Sequence, residues 1–134
     1  MAEFSARSLE KLESVHQDLQ TVFKEVVRHF DCTVVSGMRT QEEQQALYAK
    51  GRTVDGVIIT YKDGIERRSR HQDGLAVDVV PYPTMYTDEY KMIHFGWFVK
   101  GVAATLKRYG QIENDIDWGG DWDWKDLPHF QIKT

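Results

Sequence analysis

Two side chains of the kind that bind metal ions lie near the middle of the chain. His71 offers an imidazole, and Asp78 offers a carboxylate inside the apolar run 75–80. Zinc accepts both kinds of donor, and Gly74 lets the chain turn between them. A carboxylate in such a run needs a partner, because an isolated buried charge is very costly. A metal would satisfy Asp78, but so would an arginine, and for these two residues alone a salt bridge is the better interpretation.

A segment near the carboxyl end adds what a catalytic metal site requires. His129 is a third candidate ligand, and Asp126 lies three residues before it. Catalytic zinc sites combine three protein ligands with an open position for water. A carboxylate beside that water can take its proton and pass it to a leaving amine. Together with His71 and Asp78, these residues predict a catalytic metal centre, although two histidines and an aspartate suit several divalent metals.

Composition limits the other classes of function. The length of 134 residues fits one domain over 1–134, and the net charge of −4 argues against nucleic acid as the main partner. There is neither a signal-peptide pattern at the start nor an apolar run long enough to span a membrane, so we expect no stable membrane association. Cys32 is expected to be a buried small hydrophobic residue. The cluster Arg67, Arg68 and Arg70 fits either anion binding or a solvated loop.

Periodicity and capping residues predict the elements that carry these groups. The apolar spacing indicates a first helix from Leu9 to Phe30 with Ser8 as N-cap. Residues 52–70 are expected to form a mobile surface excursion with a candidate strand at 57–61. The other predicted elements are strands at 32–36, 75–80, 116–118 and 129–132, a helix at 40–49 capped by Thr40 and Glu43, and a helix at 88–109 capped by Thr87 with Tyr90 facing inward. This order predicts an α+β fold, a single domain with a small antiparallel sheet and flanking helices.

The pattern resembles a known group of enzymes. Ser69-x-His71-x-x-Gly74-x-Ala76-x-Asp78, with the later Asp126-x-x-His129, is similar to the LAS zinc peptidases, which include D-alanyl-D-alanine metallopeptidases and hedgehog-like domains. Two further stretches extend the resemblance over most of the chain, Ser36-Gly37-Met38-Arg39-Thr40 and Trp118-Gly119-Gly120-Asp121-Trp122. Within the group, the chain most resembles the phage-type L-alanyl-D-glutamate endopeptidases, which serve as endolysins.

The resemblance implies a role for each matching residue. His71, Asp78 and His129 would hold Zn²⁺, and Asp126 would be the general base. Arg39 would bind a substrate carboxylate or stabilise the tetrahedral oxyanion, unless it is only a structural partner for an acidic residue.

Other residues near the motifs have two readings each. Ser69 either orients the His71 segment or is a plain loop residue. Asp121 either supports a zinc histidine or forms a turn, and the tryptophans of the tail, Trp118, Trp122 and Trp124, either line a substrate groove or pack in the core or at its rim. His94 is expected to play no part in catalysis, and His16 and His29 are expected to be surface residues of the first helix.

The implied function is hydrolysis of the L-Ala–D-Glu bond in peptidoglycan stem peptides, which lyses a bacterial host. We expect a monomer without a separate wall-binding domain, made in the host cytoplasm and acting on the wall once another factor has opened the membrane. Two alternatives stay open: a D-Ala–D-Ala carboxypeptidase or dipeptidase on the same scaffold, and an inactive zinc-stabilised wall-binding module.

Overall fold

The amino-terminal segment forms two helices where one was predicted. In this computed structural model, which describes residues 2–83 and 87–133, helix α1 spans Ala6–Glu13 and helix α2 spans Gln17–His29. The chain breaks between them because the amide of His16 donates to the carbonyl of Gly74 (2.8 Å), and the His16 side chain then caps α2. The N-cap of α1 is Ser5 rather than Ser8. Ser8 is buried, and its hydroxyl accepts a hydrogen bond from the amide of Val34.

The remaining helices and all four strands lie close to their predicted positions. Helix α3 spans Gln41–Ala49 with the Thr40–Glu43 capping box formed, and helix α4 spans Glu89–Arg108 with Asp88 rather than Thr87 as N-cap. The strands are β1 (Cys32–Ser36), β2 (Ala76–Pro81), β3 (Ile116–Trp118) and β4 (His129–Ile132). They pair antiparallel in the order β1-β2-β4-β3.

The candidate strand at 57–61 was wrong. The described backbone there is irregular, and the nearest pairing is an isolated bridge between Lys50 and Val54. Val57 to Ile59 are exposed, so this segment has no buried face that would favour joining the sheet.

Helices α2 and α4 pack on one face of the sheet, and this packing forms the core. Phe23 of α2 meets Phe130 of β4 edge-on at 5.1 Å between ring centroids, and Phe95 of α4 lies 6.2 Å from the same ring. Tyr90 does not face inward as predicted but is 81% exposed, because it lies in the first turn of α4, outside the buried stripe through Met92 and Phe95. The α+β prediction is confirmed.

Strand alternation leaves the opposite face of the sheet for polar groups. Val77, Val79 and Phe130 point into the core, so their neighbours Asp78 and His129 point to the other side. Within the described ranges, no helix combines the length and apolarity needed to cross a membrane.

Candidate metal centre

The register of the sheet sets three polar residues in a row. Ser36 of β1 pairs with Asp78 of β2, and Asp78 pairs with His129 of β4. Directly paired residues on adjacent antiparallel strands have Cβ atoms about 4.5–5.5 Å apart. Pairing alone therefore brings the central carboxylate beside one imidazole.

His71 reaches the same point from a short 3₁₀ helix, Arg70–Asp73. Ser69 caps this helix, since its hydroxyl accepts from the amide of His71 (3.2 Å) and its own amide donates to the side chain of Gln72 (2.8 Å). Gly74 ends it with a φ of 69°, a left-handed conformation that favours glycine. Ser69 thus orients the His71 segment through the backbone, the first of its two readings.

The donor atoms of His71, Asp78 and His129 converge. Oδ1 of Asp78 lies 3.3 Å from Nε2 of His71 and 3.2 Å from Nδ1 of His129. Ligand atoms of the three residues all lie within 4.8 Å of one another. Two nitrogens and one carboxylate oxygen are a donor set that zinc and similar divalent metals accept.

The far side of each imidazole is fixed by an oxygen acceptor. Nδ1 of His71 lies 2.9 Å from the carbonyl oxygen of Gly37, and Nε2 of His129 lies 2.8 Å from Oε1 of Gln131. Each of these oxygens can accept a ring proton, and the other nitrogen of each ring faces Asp78. Metal-binding histidines are held in the same way, so the arrangement fits a metal ion.

The electrostatics of the group point the same way. Burial alone would raise the pKa of Asp78, but hydrogen bonds from His129 and His71 outweigh it and hold the pKa well below its usual range. Burial would lower the pKa of His129, yet its contacts with Asp78 raise it. The carboxylate therefore stays ionised, and a bound cation would take the place of the ring protons that contact it.

Arg39 completes the surroundings of Asp78. Its Nη2 donates to Oδ2 of Asp78 (3.3 Å), its Nε to Ser36 (3.2 Å) and its Nη1 to Oε1 of Gln44 (3.2 Å). The guanidinium is a structural partner of an aspartate, as one reading held, and it also lines the cavity around the three candidate ligands.

Asp126 stands at the mouth of this site. Its Oδ2 lies 3.8 Å from Nδ1 of His129, and its side chain is 49% exposed. Burial and the nearby Asp78 raise its pKa, which suits a group that must accept and then release a proton. Gly119 explains part of the Trp-Gly-Gly motif, because a Cβ there would collide with the carbonyl of Asp126.

The tryptophans of the tail divide between core and cavity. Trp118 is buried against Gly96 and Gly120, where added Cβ atoms would strike its ring, and it is a core residue. Trp122 lies 5.2 Å from the ring of His129, and both it and Trp124 line the cavity.

The remaining polar candidates are not among the candidate ligands, but Arg70 lines the same cavity. Asp121 lies in the short 3₁₀ turn Gly119–Asp121 and pairs with Lys100 at 2.6 Å, so its surroundings fit the turn reading rather than support of a zinc histidine. Arg68 pairs with Asp73 at 2.8 Å, and His94 is exposed on α4.

Sequence reasoning missed Gln44 and Gln131. Both are neutral, and neither belongs to a recognisable ligand spacing. For Gln131, the strand alternation around His129 was a usable signal, because residues two apart on a strand share a face.

Two cavities adjoin the candidate ligands. One of about 310 Å³ is lined by the three ligands, Asp126 and the two tryptophans. A second cavity of about 640 Å³ runs along α3. Arg39 and Asp78 line both cavities, so the two adjoin each other at this pair.

Comparison with known proteins agrees with this architecture. A family model described as phage L-alanyl-D-glutamate peptidase matches residues 1–133. The peptidoglycan L-alanyl-D-glutamate endopeptidase CwlK of Bacillus subtilis (strain 168) is 34% identical over 111 residues, which are 76% of this chain and 60% of CwlK. The crystal structure of the L-Ala D-Glu endopeptidase ChiX of Serratia marcescens superposes with a TM-score of 0.67 at 27% identity, covering 98% of this chain and 91% of ChiX. The chain therefore belongs to the phage L-alanyl-D-glutamate peptidase family.

Proposed function

We propose that this chain is a zinc-dependent endopeptidase that cuts the L-Ala–D-Glu bond of peptidoglycan stem peptides. The observation that carries the proposal is the convergence of His71, Asp78 and His129 beside Asp126. The family match and the L-alanyl-D-glutamate endopeptidase activities of CwlK and ChiX support this choice of bond. The chain spans about 60% of the length of CwlK.

His71, Asp78 and His129 would hold the metal. When bound, it would polarise the scissile carbonyl and make water acidic enough to attack near neutral pH. Asp126 takes the proton from the attacking water and passes it to the amine of the leaving D-Glu. Arg39 faces the same cavity, where its guanidinium stabilises negative charge that develops on the carbonyl oxygen.

The two cavities favour an endopeptidase. Because both adjoin Arg39 and Asp78, we infer that a substrate chain extends in both directions from the cut bond. A carboxypeptidase that releases D-Ala needs a closed end for the terminal residue. Asp126 also favours catalysis over a binding-only module, since a structural metal site needs no general base. We further propose that the enzyme works as a monomer. It would be made in a host cytoplasm and would lyse the cell by cutting its wall.

Digestion of purified peptidoglycan tests the activity and the metal together. The zinc-loaded protein should expose new amino termini on D-Glu, a chelator should abolish the reaction, and added Zn²⁺ should restore it. Measuring bound metal by elemental analysis identifies the ion. Release of free D-Ala instead would identify the alternative carboxypeptidase, and activity that survives full removal of metal contradicts the proposal.

A further inference from the structure

Two exposed aromatic rings stand at the rim of the catalytic cavity. Tyr61 and Trp124 are 51% and 70% exposed, and their ring centroids are 5.1 Å apart with the planes inclined by 54°. They come from separate segments, yet both line the cavity that holds His71 and His129. Large rings left in water beside a cavity are typical of a surface that a ligand covers.

The position of Tyr61 is built into the structure. The fully buried Gln44 donates through Nε2 to the carbonyl of Lys62 (2.9 Å) and to the hydroxyl of Thr60 (3.4 Å). Arg52 donates to the carbonyl of Thr60 (3.1 Å), and its guanidinium lies 5.6 Å from the centre of the Tyr61 ring. Both neighbours of Tyr61 are therefore anchored, and its ring is held toward the cavity without being buried.

The chemistry of the proposed substrate places a sugar close to the cut. In a stem peptide, L-Ala is joined to an amino sugar through a lactyl ether. A residue spans at most about 3.3–3.6 Å, so alanine and the lactyl group put the sugar roughly 7 Å from the scissile carbonyl. An enzyme that cuts this bond in intact wall must therefore accommodate the sugar beside its site.

The two cavities differ in the rings that line them. Cations line both, with Lys11, Arg39 and Lys50 in the cavity along α3 and Arg39, Lys62 and Arg70 in the cavity around the candidate ligands. Among the described residues, aromatic rings line only the second of these two cavities. The aromatic pair can therefore face the sugar, whose ring has apolar C–H faces that can pack on a flat aromatic surface.

We propose that Tyr61 and Trp124 form a saccharide subsite that binds the amino sugar bearing the stem peptide. This inference rests on the proposed function, because it takes the cut to lie one residue from the sugar. The subsite makes the enzyme prefer wall-attached peptide over free peptide with the same sequence.

Binding of a fragment without a scissile bond tests the subsite directly. N-acetylmuramyl-L-alanine and N-acetyl-L-alanine would be titrated into the zinc-supplemented full chain by calorimetry. The sugar-bearing ligand should bind about three- to tenfold more tightly, the range that aromatic packing supplies. Trp124→Ala and Tyr61→Ala should remove this difference. The matched control is Trp97→Ala, which deletes another exposed tryptophan, on α4 and away from the catalytic cavity.

Kinetic measurements distinguish the saccharide subsite from the peptidase activity. With a muramyl peptide and the corresponding free peptide as substrates, Trp124→Ala should lower kcat/KM about three- to tenfold more for the first than for the second. Equal losses on both substrates, or equal binding of the two fragments by the wild type, overturn the subsite. If neither peptide is cut, the proposed function fails, and the calorimetric comparison still decides whether the rings bind the sugar.

Discussion

Gln131 has no reactive group, yet it determines which nitrogen of His129 faces the site. Its Oε1 accepts from Nε2 of His129 at 2.8 Å, which leaves Nδ1 directed at Asp78. Gln131 is half-buried and lies two residues further along β4. An oxygen acceptor at this position raises the basicity of the ring and fixes its orientation.

Replacement of Gln131 by Met should therefore weaken metal binding. The expected loss in affinity is about 10–100-fold, the usual effect of removing such a partner, and competition with a chromophoric chelator would measure it. Gln111→Met changes an exposed glutamine outside the site and should leave the affinity unchanged. Unaltered affinity in Gln131→Met would show that packing alone orients the ring.

Asp126 is expected to transfer protons and not to bind the metal. Asp126→Asn should retain bound metal while kcat falls by about 10²–10⁴-fold, the contribution of general acid–base catalysis. Metal analysis and peptidoglycan turnover on the same preparation would check both halves. Asp123→Asn, an exposed change three residues earlier, should behave as wild type. Retained turnover in Asp126→Asn contradicts the assigned role.

At the scale of elements, α3 connects the site to the segment that carries Tyr61. Gln44 lies on α3 with no exposed surface, accepts from Arg39 at 3.2 Å and donates to Lys62 at 2.9 Å. One side chain thus supports both the guanidinium and the aromatic rim. The neighbouring Gln45 is exposed.

Gln44→Met should lower both stability and activity. It leaves the partly buried carbonyl of Lys62 and the Arg39 donor without their partner, which costs about 1–3 kcal/mol of unfolding free energy, measurable by urea titration. Gln45→Met should stay within about 0.5 kcal/mol of wild type. Gln44→Glu keeps an acceptor for Arg39 but loses the donor to Lys62. Its kcat should therefore lie closer to the wild-type value than its KM does. Equal stability and activity of Gln44→Met and Gln45→Met would contradict the role of Gln44 in supporting both Arg39 and the segment of Tyr61.

At the scale of the whole molecule, Asp18 links the two ends of the helical layer. Its Oδ2 accepts from the amides of Glu113 (3.1 Å) and Asn114 (3.0 Å) and from the Asn114 side chain (2.9 Å). Burial would raise the pKa of Asp18, but these hydrogen bonds outweigh it, and the pKa lies below its ordinary value. The start of α2 is thereby fixed to the loop that follows α4.

This carboxylate should make stability depend on pH. Because its pKa is lower in the folded state, its contribution is full above the unfolded value of about 3.9 and is lost as pH falls through the folded pKa. Asp18→Asn should reduce the free energy of unfolding by about 1–3 kcal/mol at pH 7, with the difference from wild type shrinking below about pH 4. Urea titrations across this range would measure it, with Asp55→Asn as an exposed control. If the difference in unfolding free energy between wild type and Asp18→Asn persists unchanged at low pH, the ionised Asp18 carboxylate is not its cause.

The sequence by itself determined the strands β1 to β4, the helices α3 and α4 and the candidate ligands, but it also predicted a strand at 57–61 that does not form. Residue type and spacing carry that information locally: Thr40 and Glu43 cap α3, and the alternation around Asp78 and His129 reads as strand. Local sequence signals could not predict the break between α1 and α2, because the break depends on the carbonyl of Gly74, which is distant in sequence from His16.

Only the tertiary structure decided which polar residues work together. The register between β2 and β4 sets Asp78 against His129, and the 3₁₀ helix at Arg70–Asp73 brings in His71. Gln44 and Gln131 gained their roles in the same way, because a neutral amide has no spacing pattern of its own and matters only through what it contacts. Reactive groups can be recognised by type along a chain, whereas the groups that orient them are defined by position in space.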